Sequence, residues 1–254
     1  MHPLLFEIYG FQVHFYGLFV ALGFFAAIYL AAYLSEKDNF SKDLIFDISF
    51  YLLISAVIGA RLMYVIVEYK FYLKNPLNIL KIWEGGLVYY GGFIAAVGAG
   101  LLYKLKHKDL NILKLGDILL TVLPLGQAIG RIGCLFAGCC YGKPCSLPWA
   151  VKFTSPMSLA PINVYLHPTQ IYHMIANFLI FLILLYVLKK GRTFYGQVVC
   201  LYGILYSIGR FVVECFRGDP RGMLGFISTS QAVSIVVFTI SIIAFIYIKK
   251  RKGK

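Results

Sequence analysis

The stretch Asp117-Ile-Leu-Leu-Thr-Val-Leu-Pro-Leu-Gly-Gln-Ala-Ile-Gly-Arg131-Ile-Gly-Cys-Leu-Phe-Ala-Gly138 decides the fold. As a helix rising about 1.5 Å per residue it spans about 33 Å, enough to cross a hydrocarbon core of roughly 30 Å. Yet it carries Arg131 well inside. An arginine in hydrocarbon costs several kcal/mol, so such residues face a protein interior or a wet cavity and mark a functional site.

Six further segments outward from this one have the same apolar character: 14–34, 44–67, 87–104, 169–188, 195–216 and 229–248. The segment 87–104 is the shortest, and Gly91, Gly92, Gly98 and Gly100 lower its helix propensity. Glycine is commoner in transmembrane helices than in soluble ones, so it is retained as a span. The chain is 60% hydrophobic and 14% charged, with a mean hydropathy of +0.78. That composition excludes a disordered chain and argues against a soluble domain. The expected fold is all-α: a polytopic membrane protein of seven helices, one domain over 1–254, with no internal repeat. Met1–Gly10 lacks the basic leader of a secretion signal, so 14–34 is read as a true first helix.

The net charge of +13 follows topology rather than nucleic acid. With the N-terminus outside, the inner segments 35–43, 105–116, 189–194 and 249–254 and their helix ends hold fourteen of the 24 basic residues. The outer segments hold seven: Lys70, Lys74, Lys81, Lys143, Lys152, Arg217 and Arg221. The positive-inside rule then sets the N-terminus out and the C-terminus in.

The other three are Arg61, Arg131 and Arg210. Counted from Leu44, Asp117 and Tyr195 they lie roughly 21–26 Å along helices that run from inside to outside. Three arginines at one depth make a pocket for an anion, and in a membrane that anion is a phospholipid headgroup. Arg210, Glu214 and Arg217 share a helix face at i, i+4 and i+7, so Glu214 can pair with both arginines. Planar guanidiniums bind two phosphate oxygens at once. Glycines at 126, 130, 133, 138 and 142 allow close backbone approach, and non-helical backbone over 133–145 is expected to wall a cavity beside Arg131.

Cys134, Cys139, Cys140 and Cys145 crowd this region. Their C-x4-C-C-x4-C spacing contains no C-x2-C pair, so no metal and no other cofactor is expected, and a disulfide is the alternative use. Cys200 and Cys215 read as packing residues. His167-Pro168 opens the fifth helix, where the helix N-terminus favours anions. Tyr16 and Tyr90 stand beside glycines and are candidates to line the cavity. Trp83 and Tyr89 read as interfacial anchors.

These segments, in order, resemble the bacterial prolipoprotein diacylglyceryl transferases. The resemblance rests on His14-x-Tyr16-Gly17, Gly59-Ala60-Arg61 with Tyr64, Glu84-Gly-Gly-Leu with Gly91-Gly92, and Gly130-Arg131-Ile-Gly133. It continues through His167-Pro-Thr-Gln-x-Tyr172, Gly209-Arg210-Phe-x-x-Glu214-x-x-Arg217 and Ser230-Gln231. It implies a transferase of the bacterial cytoplasmic membrane. Such an enzyme moves the diacylglyceryl group of phosphatidylglycerol onto the lipobox cysteine of a prolipoprotein and releases glycerol phosphate. By motif position Arg131 and Arg210 would hold and neutralise the phosphate, and Tyr16, Tyr90 and Glu214 are the further catalytic candidates. Substrate-binding roles fall to Arg61, Tyr64, Gly91, Gly92, Gly130, Gly133, Cys134, Gly138, His167 and Arg217.

The chain departs from the family pattern in its acceptor-activating half. Tyr90 stands where the family has a histidine, Cys134 and Cys139 stand at and near the place of an asparagine and an acid, and His173 replaces a glutamate. The base is then Tyr90, His14 or His167. Two alternatives stay open: a related headgroup transferase with a different acceptor, and a non-catalytic protein that binds anionic lipid.

Overall fold

The computed structural model describes residues 2–8, 11–81, 85–220 and 222–252. Trp83, Glu84, Arg221 and Lys254 lie outside the described residues. A hairpin of β1 (Leu4–Ile8) and β2 (Phe11–His14) leads into α1 (Phe15–Ser35). Then come α2 (Lys42–Val67), the short α3 (Tyr69–Lys74), α4 (Tyr89–Lys106) and α5 (Ile112–Ala137). The strands β3 (Val151–Lys152) and β4 (Tyr165–Leu166) precede α6 (Thr169–Tyr186) and α7 (Gln197–Glu214). A last hairpin of β5 (Met223–Leu224) and β6 (Ile227–Ser228) opens onto α8 (Thr229–Lys252).

Among the described residues six helices, α1, α2, α5, α6, α7 and α8, are long and apolar enough to cross a membrane. The protein is therefore an all-α polytopic membrane protein. A helix does form over the segment expected as the third span, but α4, with its glycines, tyrosines and terminal Lys104 and Lys106, is less apolar than the other six.

The chain divides into two compact units, one of residues 1–31 and 113–254 and one of residues 32–112. In the larger unit, small residues bring backbones together. A Cβ on Gly23 would lie 2.6 Å from the Gly126 carbonyl oxygen, and one on Gly133 would lie 2.9 Å from the Tyr16 Cα, so α1 packs on α5 along a glycine seam. In the smaller unit a Cβ on Gly59 would lie 2.5 Å from the Gly91 carbonyl oxygen, which joins α2 to α4 in the same way.

The helix α5 starts at Ile112, five residues before the expected start at 117. Asp117 is therefore not the first residue of the helix. It is fully buried, and its carboxylate accepts hydrogen bonds from the backbone N–H groups of Gly196 (2.9 Å), Val198 (3.0 Å) and Val199 (3.2 Å). A side chain of α5 thus satisfies the orphan donors at the start of α7, and its charge complements the helix dipole there.

The helix also runs through Gly133 to Ala137, so the expected non-helical wall over 133–145 starts only at Gly138, where φ is +73°. Residues 138–168 then fold over a core of their own, with Phe153, Ala160 and Leu166 buried against Leu135, Tyr141, Val151 and Val164.

Candidate functional site

Asp117 sets the register of the two helices that carry the site. Arg131 lies 14 residues beyond Asp117, and Arg210 lies 12 residues beyond Val198. At about 1.5 Å per residue both stand roughly 18–21 Å from the clamp, toward the C-terminal ends of α5 and α7.

Arg210 is held from three sides. Its Nη1 donates to His173 Nε2 at 3.0 Å and its Nη2 to Ser230 Oγ at 2.9 Å, and Nη2 lies 3.2 Å from Glu214 Oε2. A guanidinium only donates, so Nε2 of His173 is the acceptor and the ring proton sits on Nδ1. Glu214 bridges to the second arginine, with Arg217 Nε 3.8 Å from the same oxygen, and its other oxygen accepts from Ser228 Oγ at 3.1 Å. Arg217 is buried and forks onto Asp219 with two bonds of 2.9 Å. Because α7 ends at Glu214, Arg217 joins from the turn beyond the helix and not from its expected i+7 face, and the three residues still form a continuous ionic chain.

Arg131 differs. It is half-buried, and its one hydrogen bond among the described residues runs from Nη1 to the Cys140 sulfur at 3.6 Å. The rest of its fork is uncommitted. Arg131, Arg210 and Arg217 all lie within electrostatic reach of His173, and Tyr16 lies within reach of Arg131 and of Cys134, Cys139 and Cys140. Three guanidiniums against the carboxylates of Glu214 and Asp219 leave this centre positive, the condition for holding a phosphate.

The thiols of Cys134, Cys139 and Cys140 lie within 4.8 Å of one another. Thr169 Oγ1 donates to the Cys140 carbonyl at 2.6 Å and Gln170 Nε2 to the Cys139 carbonyl at 2.8 Å, which ties this turn to the first turn of α6. Among the three thiols, Cys140 is the one whose pKa is lowered. Hydrogen bonds from Cys134 and Cys139 lower its pKa, and the charges of Arg217 and Arg131 lower it further. The matching bonds with Cys134 and Cys140 push Cys139 up. Cys145 stands apart from this group, its backbone N–H donating to the Tyr165 carbonyl at 3.0 Å.

Other expected site residues have more ordinary surroundings. His167 Nδ1 lies 3.2 Å from the Tyr172 hydroxyl, and its ring packs on Tyr172 and Phe216. His14 ends β2 and is exposed. Gly138 makes its turn against Ser158, and Gly130 faces Val20 across an open contact of 4.0 Å.

In the smaller unit, Arg61 is spent on backbone. Its Nε donates to Ile79 O at 2.9 Å, Nη1 to Gly85 O at 2.6 Å and Gly86 O at 3.2 Å, and Nη2 to Asn78 O at 2.6 Å and Lys81 O at 3.1 Å. Every guanidinium donor has a carbonyl, so Arg61 has none left for an anion. The expected pocket of three arginines gives way to this cage. Tyr64 and Tyr72 flank the guanidinium with ring centroids 5.9 and 5.4 Å from its carbon. Gly86, at φ +72°, leaves room that a Cβ would take from the Tyr64 ring. Tyr90, at the start of α4, is exposed and packs edge-on against Tyr89. Gly91 and Gly92 are buried against α2.

Asp117, His173, Ser230, Thr169 and Gln170 hold the site but had no assigned role in the sequence reading. His173 could have been found there, since it lies on the face of α6 one turn past Thr169.

Apolar spanning helices around a positive centre with one uncommitted fork define a multi-pass membrane protein. Comparison with known proteins narrows this class. A family model described as prolipoprotein diacylglyceryl transferase matches residues 3–247. A phosphatidylglycerol–prolipoprotein diacylglyceryl transferase of Clostridium tetani is 42% identical over 245 residues, covering 96% of this chain and 97% of its own. A protein of that name, numbered 2, from Clostridium perfringens is 37% identical over all of this chain and 98% of its own, and one from Finegoldia magna is 39% identical over 99% and 97%. The chain belongs to the prolipoprotein diacylglyceryl transferase family, a family of transferases.

Proposed function

We propose that the protein transfers the diacylglyceryl group of phosphatidylglycerol to the lipobox cysteine thiol of a prolipoprotein and releases glycerol phosphate. The observation that carries this reading is Arg131: a guanidinium inside a spanning helix, with an uncommitted fork, beside an ordered Arg210–Glu214–Arg217 chain. In the reaction the acceptor sulfur attacks the glycerol carbon that bears the phosphate ester, and the C–O bond breaks. Negative charge gathers on the departing phosphate. Arg131 meets it with open donors, and Arg210, fixed by His173, Glu214 and Ser230, adds a preorganised positive field.

Tyr16 contributes a hydroxyl beside Arg131 and the thiols. Tyr90 lies in the smaller unit, exposed, and Arg61 holds the backbone carbonyls of Asn78, Ile79, Lys81, Gly85 and Gly86 rather than binding lipid. The substrates are then an anionic phospholipid and a prolipoprotein, with no nucleic acid. Both units are covered by the family match, which supports one functional membrane domain over 1–254. The basic inner segments support an N-terminus outside and a C-terminus inside the bacterial cytoplasmic membrane, with α4 as a seventh span.

The test is to incubate purified protein with phosphatidylglycerol, with and without a lipobox peptide. Peptide-dependent glycerol phosphate release, with a peptide mass gain of one diacylglyceryl group, is expected. Release that ignores the peptide would mean another acceptor. Lipid binding without any release would mean a non-catalytic protein.

A further inference from the structure

The proposed reaction needs a thiolate acceptor, and the thiol, not the thiolate, dominates for a free cysteine at neutral pH. The chain has Tyr90 where a histidine would serve, but it gathers three cysteine sulfurs beside Arg131. Consecutive side chains on an extended backbone point to opposite sides. The left-handed φ of 59° at Cys140 breaks that alternation and turns the vicinal pair toward Cys134 on the last turns of α5. The carbonyls of both vicinal cysteines are held by Thr169 and Gln170, which are themselves buried. The spacing alone gives no reason to expect a metal; the fold brings the three sulfurs together.

Sulfurs within 4.8 Å of one another need to close to about 3.8 Å, by about 1 Å at most, to share a tetrahedral zinc with Zn–S bonds of about 2.3 Å. No fourth His, Cys, Asp or Glu joins the three among the described residues. Structural zinc sites fill all four positions with protein, whereas catalytic sites hold three ligands and leave the fourth to substrate. Three thiolates on a divalent ion carry one net negative charge, and Arg131, 3.6 Å from the Cys140 sulfur, is the cation that offsets it.

We infer that Cys134, Cys139 and Cys140 form a zinc site whose open fourth position takes the acceptor thiol. The inference rests on the reading that the acceptor is a lipobox cysteine. The incoming thiol coordinates zinc and loses its proton to water, because a coordinated thiol is deprotonated outright. The bound sulfur then attacks the glycerol carbon. A C–S bond forms as the C–O bond to phosphate breaks, and the electron pair leaves on the phosphate oxygen, facing Arg131. Zinc keeps its oxidation state, so no oxidant or reductant is needed. The neutral thioether product is a weaker ligand than a thiolate and vacates the position.

The experiment uses the full-length protein purified in detergent, with cobalt(II) substituted for zinc. The expected result is thiolate-to-cobalt absorption at about one cobalt per chain, lost in Cys139→Ser and in Cys134→Ser. The visible cobalt bands should shift when a lipobox peptide is added, but not when serine replaces its cysteine. The wild-type titration stands by itself if either variant fails to fold. Wild-type protein without cysteine-dependent cobalt absorption, bands that ignore the peptide thiol, or a disulfide joining two of the three cysteines would overturn the proposal. Glycerol phosphate release is measured on the same samples before and after zinc removal. Release that survives removal overturns the zinc role and keeps the transferase reading. Bands that respond to the peptide without any release keep the zinc–thiol site and overturn the transferase reading.

Discussion

Asp117 offers the most exacting check on how the site is held in register. Its buried carboxylate receives three backbone N–H groups of the first turn of α7, and Arg192 Nη1 stands 3.9 Å from Oδ2. Asp117→Asn keeps the volume but replaces one acceptor oxygen with an NH2 facing a backbone donor. Hydrogen bonds to charged groups contribute about 1.5–3 kcal/mol, so about 2 kcal/mol of stability should be lost. Asp117→Ala removes every acceptor and strands buried donors, which should cost about 4 kcal/mol, in the range for breaking a buried charged pair. Unfolding by titration with a denaturing detergent gives the midpoints, which should fall in the order wild type, Asn, Ala. Activity should fall as well, because the clamp fixes the height of Arg210 relative to Arg131. Glycerol phosphate release is therefore measured under conditions where each variant is folded. If Asp117→Asn unfolds at the wild-type midpoint and releases glycerol phosphate at the wild-type rate, the clamp argument is wrong.

Three other variants probe separate parts of the account. Arg61→Lys trades five donors for three and should loosen residues 76–81 and 85–88, seen as faster hydrogen exchange there, with phosphatidylglycerol affinity unchanged; a loss of lipid affinity alone would return Arg61 to the anion site. Gly91→Ala should cost about 1–3 kcal/mol through the Gly59 contact, visible in the same unfolding titration, and an unshifted midpoint would mean that α2 and α4 are not closely packed. Glu214→Gln weakens the links to Arg210 and Arg217 and should slow release about tenfold to a hundredfold with a smaller change in lipid KM; wild-type turnover would leave Glu214 only a packing role.

The apolar spans were legible because long uncharged runs have few other stable uses, and α1, α6 and α8 start within a residue of where their composition places them. The Arg210–Glu214–Arg217 chain was legible because its members are close in sequence, although Arg217 lies past the end of α7 and not on its face. What escaped the sequence depends on backbone or on long-range contacts. A buried aspartate that caps another helix looks in sequence like the first residue of its own helix, whereas α5 begins at Ile112. The carbonyl cage around Arg61 has no side-chain signature, so a structural arginine looked like an anion ligand. The two-residue strands of the 138–168 segment are too short to show periodicity. The thiol triad depends on one left-handed residue, Cys140, which spacing rules for cysteine pairs do not anticipate.

The central claim is that the uncommitted fork of Arg131 receives the phosphate of the departing glycerol phosphate. The direct measurement is kcat/KM for glycerol phosphate release from phosphatidylglycerol, with a lipobox peptide present, for wild type and Arg131→Ala of matched unfolding midpoint. The account predicts a fall of about 10²–10³, the loss that follows removal of a preorganised donor at a developing negative charge. A folded Arg131→Ala protein that turns over within a few-fold of wild type would contradict it.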